Sequence, residues 1–73
     1  MAMNDRIVSD PNVCGGEPVI KGTRIPVYVV LDHLAAGDDY DTVLANFPRL
    51  TRDDILACLQ YASYLTTEKA LVA

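Results

Sequence analysis

The sequence predicts a mainly α fold: three helices behind a short β-rich N-terminal arm. Three observations carry that expectation. Six of the eight Gly and Pro residues fall within residues 6–26, so this stretch turns repeatedly and holds only brief strands. From Pro26 onward the apolar spacing changes to the helical i, i+3, i+4, i+7. Helix-capping residues then recur at Asp38–Asp39 and at Thr51–Asp54. A chain of 73 residues is too short for two cores, so residues 1–73 are expected to form one domain.

Each element follows from its punctuation. In the arm, Arg6-Ile7-Val8-Ser9 is a β-prone run closed by Asp10-Pro11. Cys14-Gly15-Gly16-Glu17-Pro18 reads as a turn, Val19-Ile20-Lys21 as a second brief strand, and Gly22-Thr23 as another turn. Arg24-Ile25 then leads into Pro26, which suits a first helical position. The first helix is expected over 27–36, with Val27, Val30, Leu31 and Leu34 on one face and Gly37 as its C-terminal stop. The second, over 40–46, starts at an Asp cap, aligns Val43, Leu44 and Phe47, and ends at Pro48. Thr51-Arg52-Asp53-Asp54 resembles a capping box with Asp in place of Glu or Gln. It opens a third helix over 52–66, whose core face is expected to be Ile55, Leu59 and Ala62.

The third helix carries a second apolar stripe, Ala57, Tyr61, Tyr64 and Leu65, at i, i+4, i+7 and i+8. An ordinary surface helix shows one stripe; two imply burial on two sides. Either the arm folds back over the tyrosines or another chain covers them. In the second case Ala57, Tyr61, Tyr64 and Leu65, with Leu71 and Val72 of the tail, form a homodimer or partner interface. A core this small rarely supplies more than about 3–5 kcal/mol, which makes support from a partner chain an economical solution.

Composition narrows the function classes. Apolar residues make up 51% and charged ones 22%, a composition that folds. The net charge of −4 is uneven: residues 1–37 hold three basic and four acidic residues (−1), residues 38–73 three and six (−3). A pI near 4.5 argues against a broad cationic footprint on nucleic acid or membrane. The first residues run into charges without the apolar run of a signal peptide, and Ile25–Leu31 is too short for a membrane span. A cytoplasmic location is expected, where a disulfide between Cys14 and Cys58 would be uncommon.

No motif requires catalysis. The glycines fail as a phosphate loop, since Lys21 precedes Gly22 and no Lys-Ser/Thr pair follows a final Gly. Nucleophilic catalysis at Cys14 needs a base within hydrogen-bond reach and an orienting third group, and nothing in the sequence brings the lone His33 near Cys14; one histidine is also a poor start for a zinc site. Asp38, Asp39 and Asp41 are explained as carboxylates at a helix start, and Asp53 and Asp54 likewise. No catalytic residue, cofactor, metal or small-molecule substrate is therefore expected.

A helix-turn-helix is the pattern with functional content. The second helix, the Phe47-Pro48-Arg49-Leu50 turn and the third helix have suitable lengths. That motif sets the N-terminal end of its second helix in the major groove, which would bring Arg49, Thr51 and Arg52 to DNA, with Lys21 and Arg24 adding phosphate contacts. The acidic balance favours the alternative, a protein-interaction module with no DNA role.

Ile7-Val8-Ser9-Asp10-Pro11, followed by Gly15-Gly16-Glu17-Pro18-Val19-Ile20-Lys21-Gly22-Thr23-Arg24-Ile25-Pro26-Val27, resembles the signature of domain-of-unknown-function family 433. Leu34-Ala35-Ala36-Gly37, Phe47-Pro48-Arg49-Leu50-Thr51, Asp54-Ile55 and Gln60-Tyr61-Ala62 agree with it, so the resemblance covers roughly residues 6–64. It implies a homeodomain-like or winged-helix-like three-helix fold. It further implies similarity to VapB-type antitoxins: a prokaryotic protein that neutralises a PIN-like nuclease toxin and represses its own operon as a dimer.

Overall fold

The structure, a computed structural model, describes residues 5–70. Strand β1 (Ile7–Val8) pairs antiparallel with β2 (Val19–Ile20), in the register Ile7 with Ile20 and Val8 with Val19. The connection between them includes a tight turn over Cys14–Gly16, where Cys14, Gly15 and Gly16 all take positive φ. After β2 the chain reverses at Gly22, whose φ of 81° is the left-handed value a type II turn needs at its third residue. Thr23 locks this turn. Its N–H (3.0 Å) and its hydroxyl (2.7 Å) both donate to the Ile20 carbonyl, and its Oγ1 accepts from the Ile25 N–H at 3.0 Å.

Helix α1 (Val27–Ala35) begins one residue later than Pro26 as a helical position would require. Pro26 keeps an extended ψ of 147° and bridges to Val19, so it caps the helix instead of entering it. At the other end Gly37 donates to the Leu34 carbonyl and Asp38 to that of His33. With Gly37 at φ 101° this is a Schellman ending. Helix α2 (Tyr40–Asn46) is capped by Asp39, whose carboxylate accepts from the Thr42 N–H at 2.9 Å. Helix α3 (Arg52–Ala70) starts with the reciprocal box: Thr51 N–H donates to Asp54 Oδ2 at 2.9 Å, and Asp54 N–H donates to Thr51 Oγ1 at 3.3 Å. The shorter Asp reaches back as Glu would. Helix α3 continues past the predicted end at residue 66.

The three helices, with the two-stranded sheet in front, share one core. Ile20, Val27, Val30, Val43, Leu50, Ile55 and Cys58 are buried together at its centre. Val19 and Ile20 are each only 1% exposed, so the arm is part of this core and not an appendage. The inner face of α3 differs from the expected one. Cys58 takes the place assigned to Leu59, which is 38% exposed, while Ala62 is half-buried. The helix is rotated so that Asp54 and Ala57 also point inward. Asp54 is buried because Arg6 reaches it from the arm, Nη1 to Oδ1 at 3.0 Å, and the capping N–H satisfies its other oxygen. A buried carboxylate is tolerable only with such partners.

Candidate functional site

Two surfaces stand out, one apolar and one cationic. The first is a groove of about 280 Å³ between the start of α1 and the C-terminal half of α3. Its floor and flanks are Pro18, Val27, Tyr28, Leu31, Tyr61 and Leu65, with Glu17 on the wall. Tyr61 packs on the core along one side, but Tyr28 is 54% exposed and Leu65 43%. The arm, through Glu17 and Pro18, walls one side of the Tyr61 face and leaves Leu65 and the outward-facing Tyr64 open to solvent.

The residues expected to form a partner face therefore divide. Tyr61 and Leu65 meet in the groove, and Tyr64 is exposed beside it. Ala57 is corrected: at 5% exposure it is buried, because the rotation of α3 that admits Asp54 turns it inward. Leu71 and Val72 lie outside the described residues. Tyr28 was missed. It flanks the apolar stripe of α1, and only the neighbouring α3 reveals that it borders a groove.

The second surface is an edge built on the Gly22 turn. Arg49 crosses to that turn, its Nη2 donating to the Gly22 carbonyl at 3.0 Å. Lys21 and Arg24, on either side of Gly22–Thr23, are exposed and form no ion pair among the described residues. Arg24 and Arg49 border one shallow depression together with Asp10 and Thr23. Thr51 and Arg52 do not join them. The Thr51 hydroxyl is engaged in the capping box. The Arg52 guanidinium lies 4.7 Å from the centre of the Tyr40 ring, in a depression it shares with Asp38, Asp39 and Asp41. Cation–π stacking and nearby carboxylates hold it on the acidic side of the molecule.

The groups tested for chemistry have structural partners. The Cys14 thiol, exposed, donates to the Arg24 carbonyl at 3.4 Å. His33 Nδ1 lies 2.9 Å from Asp38 Oδ2, and the His33 ring meets Phe47 edge-on at 5.2 Å. Burial, reinforced by the negative charge of Asp54, pushes the Cys58 thiol up to about 11. The hydrogen bond from the Thr42 backbone holds the Asp39 carboxyl below its usual range. Among the described residues no group of three or more His, Cys, Asp or Glu side chains is placed to hold a metal ion. None of their helices is long and apolar enough to cross a membrane.

Fold and surfaces define a class: a small three-helix bundle with a two-stranded antiparallel arm and an open apolar groove. The chain belongs to the family described as Protein of unknown function (DUF433), which matches residues 7–62. It is 38% identical over 61 residues to the uncharacterized protein y4eO of Sinorhizobium fredii, covering 84% of this chain and 28% of that protein. It is also similar to the crystal structure of a DUF433 member from Anabaena variabilis, with 34% identity and a TM-score of 0.80 over 89% of this chain and 64% of that one. The chain thus spans little more than a quarter of the curated relative's length.

Proposed function

We propose that this chain acts by binding, without catalysis, as a cytoplasmic antitoxin-like protein that neutralises a PIN-like nuclease toxin. The observation that carries the reading is the open groove of Tyr28, Leu31, Tyr61 and Leu65. Half-exposed aromatic and aliphatic side chains grouped in one concavity are what a protein contact uses. The groove lies open to solvent, whereas small-molecule sites enclose most of their ligand. The excess acid of the helical half suits a basic, nucleic-acid-processing partner.

The Lys21–Arg24–Arg49 edge supports a second role, repression of the protein's own operon. Three cations bind duplex DNA poorly alone; a homodimer doubles them across two half-sites. The net charge of −4 and the engagement of Arg52 with Tyr40 favour the other reading, an interaction module with no DNA role. Co-expression with a PIN-like nuclease encoded beside the gene tests the main proposal: growth is restored and the two proteins co-elute. A nuclease that stays toxic and elutes alone refutes it. Titration onto the upstream DNA separates the two roles.

A further inference from the structure

The groove has a sign as well as a shape. Glu17 stands on its wall. Asp32 is exposed one turn along α1 from Tyr28, on the same side of the helix. Among the described residues neither carboxylate forms an ion pair, and no Lys or Arg lines the groove. An apolar floor is thus bordered by negative charge that no described residue pairs with.

We infer that the groove docks a basic amphipathic helix of a second protein, one with apolar side chains at i and i+3 or i+4 and Lys or Arg beside them. The inference rests on the binding role proposed above and specifies the partner's chemistry. Shape argues for a helix: the groove runs between the flanks of α1 and α3, and a third helix seats its side-chain ridge between two others. Charge argues for basic flanks, which would meet Glu17 and Asp32. Charge also argues against a second copy of this chain. A two-fold contact through the groove would bring the two acidic rims together, in a molecule already at −4.

The test uses the full chain and two labelled synthetic helical peptides with the same Leu-anchored face, one flanked by Lys and Arg, the other by Glu. Fluorescence anisotropy at low salt is expected to show the basic peptide binding at least about five-fold tighter. Leu65→Ser should weaken it, and Glu17→Lys with Asp32→Lys should reverse the preference; all three sites are exposed, so thermal melts should show that the variants fold. Equal affinity for the two peptides overturns the inference. So does a preference unchanged in the charge-reversed variant, or a micromolar dimer that excludes the peptide. If wild type and Leu65→Ser neutralise a nuclease equally well, the antitoxin reading stands and this inference falls. If the peptides discriminate and no nuclease is neutralised, the reverse holds.

Discussion

Arg6 and Asp54, 48 positions apart, meet at 3.0 Å, and through this contact the arm fixes the rotation of the longest helix. The same carboxylate accepts the Thr51 N–H, so one side chain both starts α3 and fastens it to the arm. Asp54→Ala removes a cap, generally worth about 1 kcal/mol, together with a part-buried charge-assisted hydrogen bond. A loss of about 2–3 kcal/mol in urea unfolding is expected. Asp53→Ala, which gives up an exposed 3.7 Å contact with Arg6 and one first-turn carboxylate of α3, should cost less, about 0.5–1 kcal/mol.

The two thiols should separate cleanly. Cys58 is fully buried and its thiol is raised to about 11, whereas Cys14 is exposed. At pH 8 a disulfide reagent should label one thiol in the native protein and two in denaturant. Because the folded value lies above the unfolded 9.0, the stability linked to Cys58 is complete below pH 9 and is lost as pH rises toward 11. Cys58→Ala should remove that alkaline loss, seen in thermal melts from pH 8 to 11.

Asp39 shapes the opposite limb. Its folded value lies below the ordinary 3.8, so the cap stabilises fully above that pH and is lost as pH falls through the lowered value. Asp39→Ala should lower the melting temperature at pH 6 and flatten its fall under acid. Thermal melts from pH 6 to 2 check both effects.

Local features were legible in the sequence, and those set by tertiary contact were not. The caps at Asp39 and Thr51 and the stop at Gly37 depend on neighbours within a few residues, so sequence placed them. The face of α3 is different. Ile55 and Leu59 lie on one side and Ala57 and Tyr61 on another, and helical spacing alone does not choose between them. The choice is made by Arg6, by Val19 and Ile20 in the core, and by Cys58, a small side chain that fits where Leu59 was expected. Likewise Arg49 and Arg52 are near neighbours in sequence but face different surroundings. The Gly22 carbonyl takes one and the Tyr40 ring the other.

That division governs any contact with DNA. If the proposed repression holds, Arg24→Ala and Arg49→Ala should each weaken binding to upstream DNA and reduce the salt slope by about 1, as loss of a phosphate contact does. Arg52→Ala should leave the slope unchanged. Mobility-shift titrations at several salt concentrations distinguish these outcomes.

The most direct test of the account is calorimetric titration of the proposed partner, a PIN-like nuclease, with wild-type chain and with the Tyr28→Ser/Leu65→Ser double variant. Both residues are exposed, so the variant should keep the fold. If the groove is the contact, affinity falls by about 30-fold or more, the loss typical of removing an interface anchor. Unchanged affinity in a folded double variant would contradict the account.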